Sequence, residues 1–76
     1  MKINEEISIV EAILFASGEP IEANRIAAAA GIEPDMVFKI VQLLNDRFEK
    51  DGSSMQVIKL SDSYQLCVKA EYIDYI

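Results

Sequence analysis

The amino-acid sequence predicts an α+β fold, mainly helical, and three observations carry the prediction. Residues 33–50 hold the longest helical signal of the chain, with Val37, Ile40, Val41, Leu44 and Phe48 at helical spacing on one apolar face. A shorter helical run precedes it, joined by Gly31-Ile32, so two helices flank a tight turn. Two strand-like runs follow, residues 55–60 and 64–69, separated by Ser61-Asp62-Ser63. With a further helix at the N-terminus, this order describes a winged helix: a three-helix helix-turn-helix core with a C-terminal β-hairpin wing.

The first helix is expected over residues 3–16, with Ile3, Ile7, Val10 and Leu14 on its core face. Beside them Ile9, Ala12, Ile13 and Ala16 form a second stripe, too apolar for an ordinary solvated face. Either the helix is sandwiched inside its own domain, or the second stripe packs on another protein. Ser17-Gly18-Glu19-Pro20 ends the helix, because Gly18 can turn left-handed and Pro20 cannot continue it.

The second helix spans residues 22–30, with Ile21 and Ile26 at staple spacing around Glu22, a poor N-cap. Its Ala27-Ala28-Ala29-Ala30 run has high helix propensity and lets a neighbouring helix approach closely. Gly31 closes it. In the long helix Pro34 takes the first position, and Ile32 and Val37 are placed for a staple. Glu33 and Asp35 suit the positive end of the dipole, Arg47 and Lys50 the negative end. Met36, Phe38 and Leu43 lie partly off the core stripe. Met36 and Leu43 are seven residues apart, and with Lys39 and Gln42 between them they form a mixed contact patch.

In the hairpin, alternation turns Tyr64, Leu66 and Val68 inward and Gln65, Cys67 and Lys69 outward. The first strand is undecided, since Met55 with Val57 competes with Ile58 and Leu60 for the inward face. Residues 70–76 begin a further helix. The chain therefore reads as one winged-helix domain, residues 1–76, forming the N-terminal part of a longer two-domain protein.

Composition narrows the function. Domains of 76 residues bury roughly 60% of their unfolded surface and profit from a partner. Seven Lys and Arg against thirteen Asp and Glu give a net charge of −6, which repels a nucleic-acid duplex overall. From Glu33 to Asp51 five acids (Glu33, Asp35, Asp46, Glu49, Asp51) face three bases (Lys39, Arg47, Lys50). The helix placed to read DNA is thus itself negative. The chain has no His and a single cysteine, Cys67, which removes the usual general base, the commonest metal ligand and any internal disulfide. No calcium-loop spacing, phosphate-cradling glycine loop or nucleophile with an activating base is present. No apolar run approaches the ~18 residues needed to span a bilayer, and the first residues are unlike a secretory signal. A cytoplasmic protein with no cofactor, no metal and no membrane partner is expected.

The run Ile9-Val10-Glu11-Ala12-Ile13-Leu14-Phe15-Ala16-Ser17-Gly18-Glu19-Pro20-Ile21 resembles the first helix and turn of segregation and condensation protein B, where a pattern E-A-[IL]-L-F-x-[AS]-G-E-P recurs. Tyr64-Gln65-Leu66-Cys67-Val68-Lys69, followed by Glu71-Tyr72, is similar to that family's wing strand and the entry to its next helix. Glu22 stands where the family often has a Ser or Thr cap, and Phe38 and Leu43 where it usually has polar residues. The resemblance implies a non-enzymatic adaptor of the bacterial condensin-like SMC–kleisin complex, with two winged-helix domains. Such an adaptor forms a homodimer and binds the kleisin subunit (segregation and condensation protein A), reaching the SMC ATPase through it.

Two readings compete. The preferred one is this adaptor, with Ile9, Ala12, Ile13 and Ala16 as the homodimer surface and Met36, Phe38 and Leu43 as a second contact patch. The alternative is a winged-helix DNA-binding transcriptional regulator, which the order of elements permits and the charge opposes.

Overall fold

The first and third helices pack against each other through their apolar stripes, and a small antiparallel sheet closes the remaining side of the core. The computed structural model describes residues 2–76. Helix α1 spans Ile3–Ser17, strand β1 Ile21–Glu22 and helix α2 Ala23–Ala30. A 3₁₀ turn, Pro34–Met36, leads into helix α3, Val37–Lys50. Strands β2, Met55–Leu60, and β3, Ser63–Val68, form the wing, and a 3₁₀ helix over Ala70–Tyr75 follows. The sheet is antiparallel with order β1-β3-β2. This is the winged-helix arrangement expected from the order of elements.

The core is entirely apolar apart from one phenol: Ile7, Val10 and Leu14 of α1, Ile26, Ala27 and Ala30 of α2, Val37, Ile40, Val41, Leu44 and Phe48 of α3, Val57 and Tyr64. Burial first, and the Asp62 carboxylate second, push the Tyr64 hydroxyl above its ordinary 10.0. Ile3 departs from expectation, remaining 42% exposed. It lies one turn beyond Ile7, in the first turn of α1, and only Ile7, Val10 and Leu14 of its stripe are buried.

Both interhelix turns begin on a left-handed glycine. Gly18 follows α1 with φ 65° and Gly31 follows α2 with φ 71°, conformations that cost a side-chain-bearing residue free energy. The amides of Gly31 and Ile32 both donate to the carbonyl of Ala27, at 2.9 and 3.0 Å, and this fixes the turn between α2 and α3. Glu22 is the N-cap of α2, and its side chain makes no capping bond.

The open question in the first wing strand is decided by pairing. Val57 stands opposite Leu66 and Met55 opposite Val68, so these four share the face that carries Tyr64. Ile58 and Leu60 turn away, and Leu60 is 44% exposed. On that reverse face Ile58 pairs with Gln65 and Gln56 with Cys67. Gln65 and Cys67 are therefore half-buried by their cross-strand neighbours and are not fully solvated as the alternation alone implies. Strand β1 was not expected: it is two residues long, pairing Ile21 with Tyr64 and Glu22 with Ser63. The last segment, where a further helix was expected to begin, is a 3₁₀ helix, with bonds from Tyr72 N–H to Lys69 C=O and from Ile76 N–H to Ile73 C=O.

Candidate protein-interaction surface

The residues singled out from sequence fall on two elements. On α1, Ile9 and Ile13 are half-buried and packed against the core, while Ala12 and Ala16 are exposed. The second stripe is thus divided: its two large members partly serve the chain's own core, and its two small members face solvent. Around the helix, Ala12 and Ala16 form a low floor between Ile9 and Ile13 on one side and Phe15 on the other. Phe15 is 76% exposed.

Sequence reading missed Phe15 as a surface feature. The available signal was its position: it lies off the Ile7, Val10, Leu14 stripe, so a helix of this pitch must aim it outward. Toward the C-terminal end of α1 the same face opens into a groove lined by Ile13, Ala16, Glu19, Pro20, Ile21 and Arg25. The turn that makes one wall is braced by the Ser17 hydroxyl, which donates to the Glu19 carbonyl at 2.7 Å.

On α3 and the turn before it, Met36 and Leu43 are half-buried, Leu43 against the core, and Phe38 is 51% exposed. Phe38 is not without company, because the Lys59 ammonium of β2 sits 5.5 Å from its ring centroid, within the range of a cation–π contact. Leu43 lines a shallow depression with Lys39, Gln42, Asn45 and Asp46.

The charge of α3 is further reduced as a DNA-reading surface by where its arginine goes. Arg47 turns back to α1: Nη1 donates to Ser8 Oγ at 3.1 Å, Nη2 to the Asn4 carbonyl at 3.3 Å, and the Glu11 carboxylate lies 3.7 Å from Nη1. Glu49 holds Lys69 at 3.0 Å. Asn45, which sequence reading passed over, does structural work. Its amide donates to the Val57 carbonyl at 3.0 Å and accepts from the Val57 N–H at 2.8 Å. It thereby occupies the outer edge of β2 as another strand would, and blunts an edge open to pairing. Among the described residues no group of three or more His, Cys, Asp or Glu could hold a metal, and no helix is long and apolar enough to cross a membrane.

Comparison with known proteins agrees with the fold. The family model of segregation and condensation complex subunit ScpB matches residues 8–76. A segregation and condensation protein B from Lachnoclostridium phytofermentans is 38% identical over 76 residues, covering 100% of this chain and 40% of that protein. One from Clostridioides difficile is 30% identical, covering 100% and 44%. The chain therefore spans about two fifths of the length of these relatives. Among solved structures, ScpB from Mycobacterium tuberculosis superposes with a TM-score of 0.87 at 23% identity, over 99% of this chain and 47% of that one. A dimer of an ScpB N-terminal domain complexed with an ScpA peptide gives a TM-score of 0.85 at 24% identity, covering 96% of this chain and 91% of that one. The structural likeness bears on the fold, and the sequence matches bear on descent: the chain belongs to the family of segregation and condensation complex subunit ScpB.

Proposed function

We propose that this chain is the N-terminal winged-helix unit of a non-enzymatic adaptor of the bacterial condensin-like SMC–kleisin complex, acting in chromosome condensation and segregation from a cytoplasmic, nucleoid-associated position. It self-associates through the outer face of α1 and helps dock the kleisin, and through the kleisin it meets the SMC ATPase. One observation carries the reading. The solved relative that this chain covers over 91% of its length is a dimer of an ScpB N-terminal domain holding an ScpA peptide. The chain's own surface supports it: the outer face of α1 is apolar from Ile9 to Ala16 except for Glu11, and Glu11 is drawn aside by Arg47.

The test is the solution mass of the chain across a concentration series, by light scattering after size exclusion, alone and with the kleisin. A mass that doubles with concentration, or a stable complex with the kleisin, is the expected result; a monomer indifferent to the kleisin refutes the reading. A band shift at low salt tests the regulator alternative. A DNA-binding winged helix retains duplex there even without sequence preference, and this chain is expected to leave it unshifted.

A further inference from the structure

The two edges of the sheet are finished differently. On the outer edge of β2 the backbone groups that turn away from β3 belong to alternate residues, Met55, Val57 and Lys59. The Ser53 hydroxyl accepts from the Met55 N–H at 3.0 Å, the Asn45 amide takes both groups of Val57, and Lys59 keeps a charged side chain in solvent. Each of these discourages a further strand. The same alternation is fixed on β3. Val57 bonds outward to Asn45, so its cross-strand neighbour Leu66 also turns its N–H and C=O away from β2, and Tyr64 and Val68 do the same on either side of it. Tyr64 meets Ile21 of β1, and there the row ends. The register would next bring Glu19 opposite Leu66, but the Glu19 carbonyl accepts from the Ser17 hydroxyl at 2.7 Å. Among the described residues, neither the N–H nor the C=O of Leu66 or Val68 has a partner.

Two N–H and two C=O groups at ladder spacing are matched by an extended backbone, which adds a strand to the sheet. A helix cannot supply the match, because its own backbone groups are bonded internally. A segment that continues the row of β1 runs antiparallel to β3. Its residues opposite Leu66 and Val68 share the face that carries Tyr64 and the core, which calls for apolar side chains at those two places. Its leading end approaches Glu19 and Glu22, both exposed and without an ion pair among the described residues, which calls for a base there.

We infer that an extended segment of the kleisin adds to the sheet at this edge, pairing with Leu66 and Val68 in the row that β1 begins. The inference rests on the kleisin binding proposed above and gives it a site and a mode. Amide hydrogen exchange read by NMR tests it. In the free chain the amides of Gln65 and Cys67, which bond to β2, are expected to exchange slowly, and those of Leu66 and Val68 fast. Saturation with the kleisin is expected to slow Leu66 and Val68 by about tenfold or more. If the kleisin binds and these two amides exchange as before, the edge assignment is overturned and the adaptor reading survives. If the kleisin does not bind, both fall. Protection of the two amides that follows chain concentration and ignores the kleisin gives the edge to a second copy and overturns the inference. Val68→Pro supplies an independent arm. It removes an N–H that no bond within the chain uses, at a place where a sheet edge tolerates proline. Kleisin affinity is expected to fall about tenfold, the effect of one backbone donor lost from an interface, with the circular dichroism unchanged. Undiminished affinity in a folded Val68→Pro refutes the pairing, and if that variant fails to fold the exchange pattern decides alone.

Discussion

The outer faces of α1 and α3 invert what a winged helix usually presents. On α3, in the position of a reading helix, the exposed residues include Lys39, Gln42, Asp46, Glu49 and Lys50, of mixed sign. Its arginine is committed to α1. On α1, at the back of such a domain, the C-terminal half shows solvent Ala12, Phe15 and Ala16 without a charge among them. One helix has the charge to remain in water and lacks the positive field that phosphates demand; the other has the apolar surface that water penalises. The difference is why the proposed contact surface lies on α1, the helix that a DNA-binding winged helix uses as scaffold.

The contrast can first be sharpened inside α1, where inner and outer faces should answer differently. Leu14 is fully packed, at 2% exposure, and Leu14→Ala is expected to cost about 2–5 kcal/mol through lost transfer energy and a residual cavity. In a domain this small, that approaches the whole stability. Ala12→Glu, two residues away and exposed, should leave the urea midpoint of the dilute monomer nearly unmoved while abolishing self-association by placing a charge on the floor of the interface. A matched loss of stability in both variants would mean that α1 has no free face.

Asn45→Ala gives the next largest effect. It leaves the N–H and C=O of Val57 without their partners, which costs about 1–3 kcal/mol when such groups are kept from water. Urea unfolding measures the loss, and the Val57 amide should lose its protection from hydrogen exchange before the rest of β2. A variant as stable as wild type would show that water replaces the side chain at no cost.

These two positions also mark what a reader of the sequence can and cannot see. Leu14 was legible because helical periodicity reports the core stripe, and the three helices and the hairpin followed from the same kind of pattern. Asn45 was not, because its role depends on a strand edge twelve residues away that no local pattern announces. Strand β1 escaped for a related reason: two residues carry no period, and they are strand only because Tyr64 and Ser63 are there to pair with them. The orientation of β2 stayed open until its pairing with β3, and the Asn45 contact at Val57, gave it a side. On the candidate surface, Ile9, Ala12, Ile13 and Ala16 could be named from spacing, whereas Phe15 was passed over although its place off the Ile7, Val10, Leu14 stripe aims it outward.

Arg47 offers a smaller test of the comparison. Arg47→Ala removes the tie between the end of α3 and the start of α1. Because the side chain is partly solvated, the expected cost is about 0.2–1 kcal/mol, shrinking with added salt. A larger loss, insensitive to salt, would mean that the arginine acts by packing its stem between the helices.

An effect of similar size belongs to the second exposed aromatic. Phe38 and Phe15 both face solvent, but Phe38 has a partner within its own chain in the Lys59 ammonium, and Phe15 has an unfilled groove at its side. Phe38→Ala should therefore act on the monomer, lowering its stability by about 0.5–1 kcal/mol as an exposed cation–π contact is lost, and should leave the solution mass as it was. Phe15→Ser should do the reverse. Lys59→Met separates the two components at Phe38, since it keeps apolar cover over the ring and removes the charge. If Lys59→Met and Phe38→Ala each cost the same and their combination costs no more than either, the contact is one pairwise interaction closed within the chain. If instead Phe38→Ala lowers the dimer mass, the apolar surface of α3 belongs to the assembly too, and the division between a solvated α3 and an adhesive α1 has to be redrawn.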